Sequence, residues 1–291
     1  MRKSCFLILA FLLLAGSAAA SEVLVVQSVR SPLYDEAIRG FRSACPVETR
    51  TLVLSDYADA DVARVVREER PRLVLAVGDG ALAATRKIRR TPVVALMALG
   101  IPHPDRYSDN LTGVDLFVEP EHYLPLFQKL KAKRIGIIHD PARTGWYVKL
   151  ARAEAQRLGI ELVVREVHGP RHTIRQLNSL KGKVDSLWLI PDTTAVTMET
   201  LEAYFLFSQG ESIPVISFSA AHLKLGAIIA LESDRNDLGR QAGEMARQIL
   251  QGAEPADLAF VSPRKLSIKT NNAVARRLEY SDDLIRSLSI R

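Results

Sequence analysis

Short, near-continuous apolar runs alternate with amphipathic stretches down almost the whole of this chain, and that alternation most limits what it can fold into. Val23 to Val29, Val47 to Leu54, Leu73 to Val77 and Pro92 to Met97 read as strands buried on both faces. Between them lie helical patterns. Ser31 and Pro32 open one that runs to Ala44, with Ser as N-cap and Pro in the first turn. Asp59 to Glu69 is stopped by Pro71, and Asp79 is expected to cap a helix through Ile88. Repeated β-α-β units with apolar strands predict a parallel sheet with helices on both faces.

Residues Gly100 to Asn110 interrupt the pattern with two prolines and little periodicity, and read as an exposed loop approaching a domain crossover. The alternation then restarts. Strands are expected at Arg134 to His139, Glu161 to Val167, Val184 to Ile190, Pro214 to Ser217 and Ala227 to Leu231. Helices are expected at Glu119 to Lys131, Thr144 to Leu158, Thr173 to Leu180, Val196 to Gln209 and from Asp234 to Gln251, ended by Gly252. The fold class is therefore α/β, with two doubly wound parallel-sheet units in succession. Such sheets bind ligands at the carboxyl ends of their strands, and sites favour the junction of two domains.

The N-terminus reads as an export signal. Arg2 and Lys3 precede an apolar run from Phe6 to Ala15, too short to span a bilayer, and Ala18-Ala19-Ala20 offers small residues for cleavage after Ala20. Cys5 lies ahead of the apolar core, which argues against lipidation. A periplasmic location follows from this reading. Of 291 residues, about 270 would then remain, enough for two medium domains. Cys45 would be left without an intramolecular partner and reads as a small core residue. The net charge of +6 comes from lysines and arginines scattered among acids, with no basic stripe interleaved with aromatics, so nucleic acid is not an expected partner.

Several stretches, in order, resemble the family of ABC-transporter substrate-binding proteins with the type I periplasmic-binding fold, the group that includes tryptophan- and tyrosine-binding members. They are Ala76-Val77-Gly78-Asp79-Gly80-Ala81-Leu82-Ala83, Asn110-Leu111-Thr112-Gly113-Val114, Arg134-Ile135-Gly136-Ile137-Ile138, Lys183 to Asp192, Ile213-Pro214-Val215, Leu238-Gly239-Arg240-Gln241-Ala242-Gly243 and Ile249-Leu250-Gln251-Gly252. Two departures stand out: Tyr107-Ser108-Asp109 where glycines usually precede the Asn-x-Thr-Gly stretch, and Glu279 where a glycine is usual. The resemblance implies lobes of 21–114 plus 234–262 and 115–233 plus 263–291, after a signal peptide of 1–20. It also implies a three-segment hinge near Thr112-Gly113, Ser233-Asp234 and Ser262-Pro263, with closure on a ligand in the interlobe cleft.

The candidate ligand-binding residues follow from the strand ends. Gly78 and Asp79 leave a strand and open a helix, where backbone N–H groups are expected to hold a carboxylate or other anion unless the turn is plainly structural with Asp79 as its cap. Ser28 and Tyr34 leave the first strand at the same edge. In the second unit Thr144 and Gly145 suit a helix start, and Trp146 and Tyr147 are placed to stack on a ligand, with at least one expected to pack on a neighbouring helix instead. Asp192 and Thr193 follow a strand; the carboxylate is expected either to pair with a ligand ammonium or to cap the helix ahead of Val196. Phe218 and Ser219 end another strand.

Catalytic motifs are missing: there is no Gly-x-Ser-x-Gly, His-Glu-x-x-His or phosphate-loop pattern, and Gly169-Pro170 separates His168 from His172 against a helical metal pair. No enzyme activity, cofactor or metal is expected. The expected function is capture of a small organic molecule, an amino acid or related acid, for an inner-membrane ABC permease by a monomeric protein. The alternative is a periplasmic sensor that presents its closed form to a membrane receptor or kinase.

Overall fold

The computed structural model describes residues 22–101 and 109–289. The expected signal peptide, its cleavage site and most of the loop after Gly100 lie outside the described residues. The chain divides into two compact units. Unit 1 holds 22–101, 109–114 and 239–260; unit 2 holds 115–238 and 261–289.

In unit 1, β1 (Val23–Gln27), β2 (Thr49–Val53), β3 (Leu73–Val77), β4 (Val93–Leu96) and β5 (Leu111–Gly113) form one sheet in the order β2-β1-β3-β4-β5, every pair parallel. The central strands are the apolar runs: Val23 to Val26 and Leu73 to Val77 are fully buried. The edge strand β2 buries only Leu52 and Val53. β5, unread in the sequence as a strand, is the reason for the Asn110-x-Thr112 pattern. Asn110 Nδ2 donates to the carbonyls of Ile88 and Thr91, and Thr112 Oγ1 donates to Leu258 O at 2.8 Å. Both side chains anchor a strand too short to hold itself by its ladder.

Three helices follow β1, β2 and β3: α1 (Pro32–Ala44), α2 (Val62–Glu69) and α3 (Asp79–Thr85). Ser31 caps α1 through its side chain as expected, accepting from Leu33 N at 3.3 Å. Gly239 and Gly243 lie one turn apart on a later helix and meet the backbone of α1. A Cβ on Gly243 would lie 2.6 Å from Phe41 O and one on Gly239 would lie 2.8 Å from Phe41 N, so only glycine permits this approach. Cys45, just past α1, is buried as a free thiol.

Unit 2 has a six-stranded sheet: β6 (Arg134–His139), β7 (Glu161–Glu166), β8 (Ser186–Trp188), β9 (Val215–Ser217), β10 (Ile229–Ser233) and β11 (Leu266–Thr270), ordered β11-β10-β9-β8-β6-β7. The wholly parallel expectation needs one correction here, since β11 pairs antiparallel with β10 as an edge strand. Its helices are α4 (Pro120–Lys129), α5 (Pro141–Arg157), α6 (Thr173–Ser179), α7 (Met198–Glu211), α8 (Arg235–Leu250, whose residues from Gly239 on belong to unit 1), α9 (Asn272–Arg277) and α10 (Asp282–Ser289). Two sequence readings shift. α5 starts at Pro141, capped by Asp140, rather than at Thr144-Gly145, and α7 is capped by Thr197 rather than by Asp192.

Two switch-point clusters at the strand ends

In each sheet the strand order reverses once, and the candidate residues converge there. In unit 1 the chain passes from β1 to β2 on one side and to β3 on the other, which opens a crevice between the carboxyl ends of β1 and β3. Ser28 and Gly78 occupy those ends. Ser28 Oγ donates to Val77 O at 3.1 Å and accepts from Ala81 N at 2.8 Å, so one hydroxyl ties β1 to both the end of β3 and the first turn of α3. Gly78 has φ +89, a conformation that side chains disfavour, and the Tyr34 hydroxyl lies directly against it. Burial raises the Tyr34 phenol above its ordinary value, the charge of Asp79 adds to this, and the Ser28 contact opposes it.

One expectation for this edge is narrowed and another corrected. Of the N–H groups of Gly78-Asp79-Gly80 expected to hold an anion, that of Gly78 is taken, since it donates to Leu96 O at 2.9 Å. Asp79 is not the cap of α3; Gly78 stands at the cap, and Asp79 Oδ1 accepts from Gly100 N at 2.5 Å. The structure also adds residues that the sequence reading passed over. Val29, Leu33 and Tyr57 expose 47%, 48% and 56% of their surface at the β1 and β2 ends, beside an Arg30–Asp56 ion pair of 2.6 Å. Met97, one residue past β4, holds a left-handed backbone with φ +55, strain of about 1–3 kcal/mol for a residue with a side chain. Their only sequence signal is apolar character just beyond a strand, which periodicity does not distinguish from the strand itself.

In unit 2 the reversal lies between β6 and β8, and there Asp140 and Asp192 meet. Asp192 is 1% exposed. Its Oδ2 accepts from Asp140 N at 2.8 Å and from Thr144 Oγ1 at 2.6 Å; its Oδ1 accepts from the N–H groups of Thr194 and Ala195, both at 2.8 Å. Four donors of the chain itself thus satisfy this carboxylate. It is the staple that ties the ends of β6 and β8 together, which corrects its reading as the partner of a ligand ammonium. Thr144 is equally buried, and its hydroxyl also lies 3.3 Å from His139 Nδ1. Burial holds the His139 imidazole below its ordinary value, against the opposing charges of Asp192 and Glu166.

Above this staple sits a second layer. Thr194 Oγ1 donates to Asp140 Oδ2 at 2.9 Å and accepts from Arg143 Nε at 2.8 Å. The Arg143 guanidinium is 3.8 Å from Asp140 and keeps 57% of its side chain exposed. Arg143 is the chemically informative residue that the sequence reading missed. A lone arginine on a helix start carries no motif, and only the fold brings Thr194 to its side. Thr193 is exposed next to this pair and Gly145 is half-buried. At the end of β9, Phe218 is half-buried and packs edge-on to His222 at 5.2 Å. His222 Nδ1 is hydrogen-bonded to Ser217 Oγ at 2.6 Å, and Ser219 Oγ accepts from Ala221 N. Of the two expected stacking aromatics, Tyr147 is core, its hydroxyl donating to Val118 O at 2.7 Å. Trp146 is half-buried and lies more than a turn into α5, on the wall of a cavity with Phe117.

Each of the two α/β units has its reversal point at the strand carboxyl ends, with a polar staple beneath it, where doubly wound sheets bind their ligands. Residues 23–286 match the family model described as ABC transporter substrate binding protein, and the chain belongs to that family, which is not enzymatic. A tyrosine-binding protein from Clostridioides difficile (strain R20291) is 23% identical over 192 residues, 65% of this chain; the chain spans only 54% of that relative. Among solved structures, a ligand-free, open substrate-binding protein with adhesive properties from Clostridium difficile superimposes with a TM-score of 0.72 at 19% identity, covering 90% of this chain and 96% of the other. An ABC domain in complex with L-Trp from Streptococcus pneumonia gives 0.67 at 19% identity, covering 92% and 98%. These structural likenesses establish the fold. No helix among the described residues is long and apolar enough to cross a membrane.

Proposed function

We propose that this protein captures a small organic acid, with an aromatic amino acid as the first candidate, and delivers it to an inner-membrane ABC permease. On this reading it is exported to the periplasm by its N-terminal signal and works as a monomer. The observation that carries the ligand class is Arg143: a guanidinium fixed in place by Thr194 and Asp140, yet more than half exposed at a strand-end crevice. A planar fork held in this way suits a carboxylate, which it meets with two parallel hydrogen bonds. The names of two relatives, a tyrosine-binding protein and a domain complexed with L-Trp, support an aromatic amino acid.

In unit 2, Gly145, Thr193, Phe218 and Ser219 join Arg143 as candidate ligand contacts in this proposal. In unit 1 the strand-end candidates are Tyr34 and Asp79, with the exposed Val29, Leu33 and Tyr57 supplying apolar surface. Ser28, Gly78, Thr144 and Asp192 act underneath, by fixing the geometry of the groups that touch the ligand. Isothermal titration of the ligand-stripped mature chain with L-tyrosine, L-tryptophan and other amino acids tests the reading. Saturable 1:1 binding of at least one carboxylate ligand is expected, and its loss in Arg143→Gln. Binding that is indifferent to Arg143 rejects the carboxylate assignment.

A further inference from the structure

Unit 2 contains a cavity of about 380 Å3 that is lined by residues of that unit and does not include Arg143, which stands one turn earlier on α5 than Trp146 and Tyr147. The volume falls in the range of small-molecule pockets, roughly 300–1,000 Å3. Its apolar wall is aromatic. Trp146 meets Phe117 edge-to-face at 5.0 Å, and Phe117 lies 5.0 Å from Tyr147, which is itself locked into the core. Leu150, 52% exposed, extends this wall along α5.

Among the described residues, the charged groups lining the cavity are carboxylates: Asp115, Glu119, Glu121 and Glu154. This is unexpected in a chain whose net charge is +6. Glu121 has an ordinary role in the first turn of α4, where it complements the helix dipole, but Asp115 and Glu154 lie on other segments. The contacts these groups make are mostly neutral. Asp115 accepts from Phe117 N at 3.0 Å and Glu119 Oε1 accepts from Ser262 Oγ at 2.9 Å; Glu154 is paired with Arg157 at 2.9 Å, and Glu121 lies 4.0 Å from the His122 ring. Burial raises the Asp115 carboxyl above its ordinary value, opposed by backbone N–H groups. A cation beside it would relieve that cost.

We propose that this cavity is a binding site for a small organic cation, an ammonium or guanidinium carried on an apolar body, with the aromatic wall taking the body and the carboxylates the charge. Aromatic faces attract cations most strongly where both are partly desolvated. This proposal gives Trp146 a ligand-stacking role for a different ligand, at a site lined by other residues than the carboxylate crevice.

The test uses choline and its uncharged carbon isostere, 3,3-dimethylbutan-1-ol, titrated calorimetrically into the mature chain. Choline is expected to bind saturably and the isostere roughly tenfold or more weakly. Asp115→Asn is expected to weaken choline about tenfold while circular dichroism and melting temperature stay unchanged. Should Asp115→Asn fail to fold, Glu154→Gln, on the cavity side of α5, is expected to weaken choline in the same direction. Equal binding of choline and isostere, or no saturation by choline up to about 10 mM, overturns the proposal. Arg143→Gln is expected to leave choline binding intact, so failure of the carboxylate reading and failure of this one are told apart.

Discussion

Thr144 donates its hydroxyl to Asp192 across 2.6 Å, and both side chains are buried beneath the carboxyl ends of β6 and β8. The contact joins the first turn of α5 to the loop after β8, two segments 48 residues apart in sequence. It makes the strand-end crevice of unit 2 a fixed surface, on which Arg143 and Thr194 are then arranged.

Asp192→Ala leaves the N–H groups of Asp140, Thr194 and Ala195 and the Thr144 hydroxyl without their acceptor. Each buried donor so orphaned costs on the order of 1–3 kcal/mol, partly recovered by water. Urea denaturation of Asp192→Ala is expected to show a loss of at least about 3 kcal/mol, with Thr144→Val losing about half as much. A loss below about 1 kcal/mol for Asp192→Ala would show that water replaces the carboxylate freely.

Gly243→Val is expected to destabilise unit 1 by about 3 kcal/mol or more, because a Cβ at that position meets Phe41 O and the backbone has no flexible group to give way. Gly252, also glycine but with open space around its Cβ position, has φ +108; Gly252→Asn is expected to cost about 1 kcal/mol, from backbone conformation alone. Thermal melting of the two variants separates crowding from conformational strain.

Burial lowers the imidazole pKa of His222 in the folded chain, against the opposing charge of Glu232, and that of His139 is lowered in the same way. An unfolded histidine titrates near 6.5. As pH falls the unfolded chain takes up protons before the folded one, so the unfolded state gains. The stability associated with these groups is therefore complete above about pH 6.5 and is lost as pH falls through the lowered folded values. Denaturation midpoints measured between about pH 7.5 and 5 are expected to decline in this direction, and His222→Asn is expected to flatten the decline.

Arg143→Gln is expected to leave stability within about 1 kcal/mol of wild type, since its charge contact with Asp140 is long at 3.8 Å, its own head is more than half exposed, and the 2.8 Å bond to Thr194 is one that water can replace. Ligand affinity is expected to fall by about tenfold to a hundredfold. Tyr34→Phe removes the hydroxyl that lies on Gly78 and Ser28, and is expected to weaken binding by a smaller factor, about threefold to tenfold.

The architecture was legible wherever a strand is central. Val23 to Val26 and Leu73 to Val77 are apolar throughout because both faces of the sheet are covered. The edge strand β11 and the three-residue β5 were not read, the first because Leu266 to Thr270 mixes polar and apolar residues, the second because its hold comes from Asn110 and Thr112 side chains rather than from a hydrophobic run. At the strand ends the sequence pattern places residues but does not encode their roles. Asp192 sits where expected, but four hydrogen bonds from the chain occupy it. Whether a carboxylate faces outward or is buried under its own loop depends on the backbone N–H groups that a turn aims at it, and no sequence spacing encodes that. Arg143 went unnoticed for the complementary reason: its partner Thr194 is 51 residues away.

The most direct test of the central claim is a melting-temperature comparison of L-tyrosine with tyramine, and of L-tryptophan with tryptamine, for wild type and Arg143→Gln. Each amine keeps the ring and the ammonium and lacks only the carboxylate. A ligand that binds the folded chain alone raises its stability by about 2.7 kcal/mol at a hundredfold excess over its dissociation constant. The account predicts that at least one amino acid raises the melting temperature of wild type at concentrations where its amine does not, and that Arg143→Gln abolishes the difference. An amine that stabilises wild type as well as its parent amino acid, with Arg143→Gln responding like wild type, would contradict it.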